Sequence, residues 1–407
     1  MTLRTALPHP GEWTNADLMF LVAGMVGAAV PGWASDRARR PPPPQFVGGS
    51  TGSALRGVVV LVVDGLGWHQ LRGCGHAPLL EAAARDQEPI RAELPSTTVT
   101  NLAAIGTGRT GGDHGLLGYT MVVPDPSGTP AVFNPLVWRF GLRGGGADAR
   151  VDVVPEALVP RPTMFEALAA SGVDMTVVVD PAFVDSGLTR ASLRGGQRLA
   201  RRGLAATLST AVAAVAASTR PAIAYCHHPD VDTAGHVHGP ATPAWSSAVA
   251  AVDNALRTTV ARLPADVAVV VAADHGMVAV DSDQVVELGP EHPLLDDVAL
   301  VAGEPRMRTV VVDEGVAVDA VASRWQAFLG DRATVATTAR AVADGWFGPG
   351  VRPTHARRLG DIVVASHAGS VSHARVDPHG GRLAGMHGSF TAAERDVPAL
   401  VLTASAA

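Results

Sequence analysis

Lysine is absent from the 407 residues, and all 32 basic side chains are arginine. A lysine Schiff base, a pyridoxal phosphate anchor and the lysine of a phosphate-binding P-loop are therefore excluded. Cysteine is nearly as scarce. Cys74 and Cys226 are the only two, too few for a thiolate metal knuckle or a disulfide framework, so a reducing cytoplasm is the expected setting. Charge is thin as well: charged residues make up 17%, the net charge is −6, and basic residues come in short arginine pairs at most. That composition argues against wrapping nucleic acid. A membrane-length apolar run is also missing near the N-terminus, where Leu18 to Val30 covers 13 residues. It has the length of a signal-peptide core, but Glu12 and Asp17 against a lone Arg4 give the preceding region the wrong charge. A cytoplasmic protein with an N-terminal helix is the expectation, and export through an atypical signal is the alternative.

Apolar residues make up 47% of the chain, with Val and Ala dominant, and the length exceeds a single ordinary core. One large domain with an insertion, or two unequal domains, is expected. Residues 36–50, DRARRPPPPQFVGGS, have the composition of a linker or surface strap, so the folded core is expected to begin just after them. Gly57 to Val63, GVVVLVV, is a continuous β-branched run ending at Asp64, the pattern of a parallel strand buried on both faces. Residues 119–160, rich in Gly and Pro, read as a loop-rich excursion. Helices at Met164 to Ala170, Leu204 to Ala217 and Ala244 to Arg262 alternate with strands at Met175 to Val179, Ala222 to Tyr225 and Val267 to Ala272. This alternation predicts an α/β fold, a mostly parallel sheet with helices on both faces. The organisation is read as an extension with a proline-rich linker over 1–50, a core over 51–276 and 384–407, and an inserted smaller α+β cap over 277–383. Ala399 to Leu402 would return to the main sheet.

The chemistry is organised around Pro95 to Gly108, PSTTVTNLAAIGTG, with Thr98 the candidate nucleophile at the start of a small-residue helix. A threonine hydroxyl barely ionises near neutral pH and needs a base or a metal ion beside it. Four segments offer one: Asp64 after its strand, the His-rich string HHPDVDTAGHVHGP from His227 to Pro240, Asp274-His275 after VAVVVAA, and His387 in GMHGS. Taken singly, a strand-end Asp is most often a turn or helix cap, and a lone His a satisfied core residue. Four His and two Asp within the 227–238 stretch are less easily a solvated loop. Asp and His clusters without Cys suit two divalent ions bound through oxygen and nitrogen, and such a pair can hold the attacking and leaving oxygens of a displacement at phosphorus. Other strings are set aside. GTGRTG at Gly106 to Gly111 follows a helix-like segment and lacks the acidic partner of a dinucleotide site. Asp113-His114-Gly115 follows a Gly-rich turn and is read as ordering a loop. His355, His367, His373 and His379 share no spacing and are read as surface or secondary residues.

The ordered set VVDG (Val62 to Gly65), PSTTVTNLAAIGTG, DTAGHVHGP (Asp232 to Pro240), ADHGM (Ala273 to Met277) and GMHG (Gly385 to Gly388) resembles the alkaline phosphatase superfamily. The closest branch is its type I phosphodiesterase/nucleotide pyrophosphatase family. The resemblance covers about residues 57–400 and implies an alkaline-phosphatase-like fold and two divalent ions. Zinc is the expected metal, with Mn or Fe also compatible. It implies that Asp64, Thr98, Asp274 and His275 hold one ion, that Asp232, His236 and His387 hold the other, and that Asn101 donates to a non-bridging phosphoryl oxygen. Val99-Thr100 stands where the family has Phe-Pro, and PDVD makes Asp230 a competitor of Asp232.

The implied activity is a metal-dependent hydrolase of phosphate esters, with phosphodiesters or nucleotide pyrophosphates favoured, acting through a phosphothreonine. The alternatives are a phosphonoacetate-type hydrolase or phosphomutase of the same superfamily, and a non-catalytic metal-stabilised binding protein. The expected partner is a small phosphate ester or nucleotide, with no membrane span. Oligomeric state is not legible.

Overall fold

The computed structural model describes residues 11–30, 32, 40–47, 54–141, 147–373, 375–377 and 382–404. Its centre is a six-stranded sheet built from β1 (Gly57–Val63), β2 (Asp174–Val179), β3 (Gln197–Ala200), β4 (Ala222–His228), β5 (Val267–Ala272) and β6 (Ala399–Leu402), in the order β6-β5-β1-β4-β2-β3. All pairings are parallel except that of β6 with β5. The apolar runs explain the middle of the sheet: Val58 to Val63 are fully buried, which requires cover on both faces. Each such side chain contributes about 1.5–3 kcal/mol of burial free energy. The edge strand β3 was not legible because its sequence, QRLA, is half exposed and carries no apolar signature.

The core begins earlier than residue 51. Asn15–Asp17 form a short 3₁₀ turn leading into α1 (Leu18–Met25), whose Leu18, Met19 and Val22 are fully buried in the same core as β1. Helix α1 takes up only the first part of the apolar run from Leu18 to Val30 and ends at Met25, two residues before Gly27, which adopts a φ of 66°. The described part of the proline-rich segment is a strap. Phe46 is buried, Gln45 donates to the carbonyls of Glu88 and Ala399, and Trp13 donates to that of Pro41. Among the described residues, no helix is long and apolar enough to cross a membrane.

The 119–160 excursion is more regular than predicted. Met121–Pro124, Pro130–Asn134 and Arg139–Phe140 form a small antiparallel sheet. Its first turn closes because Asp125 accepts the Ser127 and Thr129 amides, and Phe133 packs edge-on against both Trp138 and Phe140. Beyond Met277, a second antiparallel sheet pairs Val298–Glu304, Met307–Val312, Ile362–Ser366 and Ala333–Thr337, in that spatial order. The helix Val318–Leu329 packs on it through Val321 and Trp325. A two-strand ladder of Val278–Ala279 with Gly385–Met386 closes the neck of this excursion. Arg306, at the turn of its first hairpin, makes a fully buried bidentate ion pair with Glu394 at 2.8 and 2.9 Å.

Candidate active site

Strand register brings the first donors together. In the sheet, β1 lies between β4 and β5, with Val63 opposite His228 and Val62 opposite Ala272, so Asp64, the end of β4 and Asp274 emerge at one carboxyl edge. The amide of Asp64 donates to the His228 carbonyl at 2.9 Å, and that of Gly65 to Asp274 Oδ1 at 3.2 Å. At Gly65 φ is 72°, and a Cβ there would stand 2.8 Å from the Asp232 Cα, so only glycine lets the next helix come this close. That helix, α3 (Asp230–His238), follows α2 (Thr98–Thr107) in the site and puts Asp232 and His236 one turn apart on one face. Their Oδ2 and Nε2 are 3.4 Å apart. Asp230, the competing carboxylate, is exposed beside His228.

Thr98 is the first residue of α2. Of the three neighbouring hydroxyl residues it alone is partly open, since Thr97 and Thr100 are buried. Its Oγ1 lies 3.1 Å from His275 Nε2 and 3.4 Å from Asp64 Oδ1. His387 arrives from far along the chain because its segment is stitched to the one preceding Thr98. Ser96 N donates to Gly388 O at 3.1 Å, and Ser96 Oγ to Ser389 O at 2.7 Å.

The three imidazoles share one arrangement. Nδ1 contacts a main-chain carbonyl in each: Gly385 for His236, Gly276 for His275 and Ser96 for His387, at 2.8–3.0 Å. A carbonyl can only accept, so Nδ1 carries the proton and Nε2 is left with its lone pair facing the site. The carboxylates crowd in the same space. Burial, then the charges of Asp274 and Asp232, hold the Asp64 carboxyl well above the usual range, and burial also raises Asp232. Among the described residues, the ion pairs of Asp64, Asp232 and Asp274 are all with histidine. Two buried carboxylates and a half-buried third, without an arginine, and three outward lone pairs form a donor set suited to divalent cations. Two groups have ligand atoms within 4.8 Å of one another: Asp64, Asp274 and His275, and Asp232, His275 and His387. His275 therefore stands between the two groups that the resemblance separated. His236 joins the second through Asp232 and through His387, whose Nε2 is 3.2 Å from its own.

Asn101 is the correction. It is fully buried and its amide is spent inside the protein: Oδ1 accepts from Asn15 at 3.0 Å and from the Glu93 amide at 2.7 Å, while Nδ2 faces the carbonyls of Thr97, Glu93 and Pro95. The predicted contact with a phosphoryl oxygen is not available to it. The sequence reading also missed two neighbours of the donor set. His227 Nε2 is 3.1 Å from Asp64 Oδ2, and burial pushes this imidazole down to about 4. Its signal was its place in the His-rich string, one residue before the end of β4. Glu304, from the excursion beyond Met277, is buried 3.9 Å from His387 Nδ1, and burial pushes its carboxyl up to about 8. It had no motif to announce it.

The set-aside strings have structural roles. Gly108 is the left-handed cap that ends α2. Asp113 is ion-paired with Arg109 and Arg161, and the buried His114 accepts the Leu116 amide, so this second Asp-His-Gly string orders a loop. His355 is not at the surface: it is buried and donates to the Gly112 carbonyl. His367 bonds Thr334 and His373 packs by Asp377, both apart from the donor set, while His379 lies outside the described residues.

A mostly parallel six-stranded sheet carrying carboxylate and imidazole donors at its carboxyl edge is the architecture of the alkaline phosphatase superfamily. Within it, this chain belongs to the type I phosphodiesterase/nucleotide pyrophosphatase family, whose profile matches residues 58–390. Among solved structures, the chain is similar to an inactive form of murine ectonucleotide pyrophosphatase/phosphodiesterase 5 in complex with AMP, at 16% identity and a TM-score of 0.62, covering 85% of this chain and 88% of that one. The human protein of the same name follows at 14% and 0.60, covering 85% and 87%. Phosphonoacetate hydrolase from Sinorhizobium meliloti 1021, in complex with phosphonoacetate, is similar at 20% and 0.58, covering 84% and 89%. At these identities the likeness is one of fold. No curated protein matches the chain by sequence.

Proposed function

We propose that this chain hydrolyses phosphodiesters or nucleotide pyrophosphates with Thr98 as nucleophile; Asp64, Thr98, Asp274 and His275 would hold one divalent ion, and Asp232, His236 and His387 a second. The observation that carries the reading is the position of Thr98 Oγ1, 3.1 Å from His275 Nε2 and 3.4 Å from Asp64 Oδ1. Zinc is the favoured ion, and Mn or Fe suits the same donors. When bound, such ions supply positive charge that lowers the pKa of a coordinated hydroxyl and stabilises the leaving oxygen.

The chain's own residues do the rest. Thr98 Oγ1 forms a bond to phosphorus while the ester bond to the leaving group breaks, giving a phosphothreonine that water then hydrolyses. With Asn101 committed elsewhere, the phosphoryl oxygens fall to the free N–H groups of the first turn of α2, which has the positive end of its dipole at Thr98. The Nδ1 contacts of the three histidines hold their rings against rotation. The AMP in the murine relative supports nucleotide-derived substrates. A cytoplasmic location belongs to the same reading, since the apolar segment that would serve as a signal is buried in the core as α1.

The test is a panel of an aryl phosphodiester, an aryl nucleotide diester, dinucleotide pyrophosphates, an aryl monoester and phosphonoacetate on metal-loaded protein. Diester or pyrophosphate turnover should lead the panel. Thr98→Ala should lower kcat by at least about a thousandfold. Retention of near-wild-type turnover by that variant would remove Thr98 from the mechanism.

A further inference from the structure

Asn15 lies far from every string that carries the family resemblance, yet it is fully buried beneath the donor set. Its Nδ2 faces three acceptors: Asn101 Oδ1 at 3.0 Å, the Asp274 carbonyl at 3.0 Å and the Ala273 carbonyl at 3.2 Å. One amide thus spans two elements that share no strand pairing, the helix that begins at Thr98 and the strand end that carries Asp274 and His275. Asn101 passes the connection on. The same oxygen accepts the Glu93 amide, and its Nδ2 faces the carbonyls of Thr97, Glu93 and Pro95, the backbone that leads into Thr98.

Asn15 is itself held from several sides. The Thr14 amide and hydroxyl both contact Asp17 Oδ2 at 3.0 and 3.3 Å, and Arg40 reaches the same oxygen at 3.3 Å. The Arg40 guanidinium also lies 4.2 Å over the Trp13 ring, and the Arg91 amide donates to the Trp13 carbonyl at 2.9 Å. Behind the turn, α1 is anchored by the fully buried Leu18 and Met19. This is more apparatus than one asparagine needs to satisfy two carbonyls.

We infer that Asn15 is a positioning residue of the active site: the N-terminal turn clamps the Thr98 helix to the Asp274-His275 strand end and sets the distance between nucleophile and metal donors. The inference rests on the proposed two-metal reading. It makes the segment around residues 14–26 a built part of the catalytic unit, so cleavage anywhere in it would disable the site while leaving every motif residue in place. The bland alternative is an asparagine that only stabilises the fold. The geometry separates the two, because the contacts run to the two elements whose spacing sets the Oγ1 to Nε2 distance.

The experiment compares Asn15→Ala, Asn15→Ser and Leu256→Ala in the full chain, the last being a fully buried change in the helix Pro243–Val260, outside the N-terminal segment. Melting temperature is measured on metal-free protein, Zn2+ affinity by competition with a chromogenic chelator, and kcat and KM on the best substrate of the wild type. The expected result is a loss of about tenfold or more in kcat and in Zn2+ affinity for Asn15→Ala, with KM within about twofold. Leu256→Ala should lose at least as much melting temperature while keeping wild-type kcat and Zn2+ affinity. Asn15→Ser, which keeps one donor and disturbs the fold less, should fall between them, and it carries the test if Asn15→Ala does not fold. Wild-type Zn2+ affinity and kcat in the Asn15 variants, or equal losses in Leu256→Ala, would overturn the inference. If the wild type turns over no phosphoryl substrate, the proposed reaction fails while the Zn2+ arm still decides whether Asn15 positions the donors.

Discussion

The Nε2 atoms of His236 and His387 stand 3.2 Å apart, although each ring commits its Nδ1 proton to a main-chain carbonyl. Two lone pairs facing each other at that distance repel unless a cation lies against them. Chelation with EDTA should therefore abolish turnover and lower the melting temperature, and Zn2+ should restore both. At a hundredfold excess of free ion over its dissociation constant the stabilisation is about 2.7 kcal/mol. Identical melting curves with and without chelator would contradict a metal centre here.

His227 fixes the rotation of the Asp64 carboxylate through its 3.1 Å contact to Oδ2, leaving Oδ1 toward Thr98. Replacing it by Ala should weaken metal binding or kcat by about 10- to 100-fold. His227→Gln, which can still donate, should recover part of the loss. Parallel Zn2+ titrations and steady-state kinetics on the two variants check this, and equal behaviour of Ala and Gln would mean that the contact does not matter.

Gly65→Ala should damage the site without touching a ligand. The positive φ costs about 1–2 kcal/mol for a residue with a Cβ. The new methyl, 2.8 Å from the Asp232 Cα, must also push α3 and its Asp232-His236 pair away. A lower melting temperature together with less than two bound ions per chain, measured by elemental analysis of purified protein, is the expected outcome.

The acid limb of stability has an identified contributor in His114. Burial lowers this imidazole from 6.5 to about 3, with His355 and Arg358 adding to the shift and Asp113 opposing it. Because the folded-state pKa is the lower one, the unfolded chain binds the proton first. The stabilisation is complete above about pH 6.5 and is lost as pH falls toward 3, on the order of 4 kcal/mol over the window. His114→Asn keeps an acceptor for the Leu116 amide and removes the titration, so its stability should fall less steeply between pH 6.5 and 4 in urea unfolding of metal-free protein. Parallel pH curves for the two proteins would exclude this role.

Several features were legible because local pattern and tertiary role coincide. A strand buried on both faces must be apolar throughout, so GVVVLVV announced β1 and the Asp64 that follows it. The four-residue spacing of Asp232 and His236 needed only one turn of helix to share a face, and α3 supplies it. Other features depend on neighbours that no local pattern encodes. Asp230 and Asp232 look alike in the string PDVD, and only the packing of α3 against Gly65 turns one inward and leaves the other in solvent. Asn101 keeps the motif spacing from Thr98, yet its amide was already claimed by the 3₁₀ turn at Asn15.

By itself the sequence determined the class of sheet, the candidate nucleophile and the chemical kind of each candidate donor, because those follow from hydrophobic period, residue type and order along the chain. Only the tertiary structure decided which donors meet. Burial and hydrogen-bond satisfaction are settled by surfaces that arrive from elsewhere: Ser96 against Gly388, His227 against Asp64, and Asn15 beneath them all.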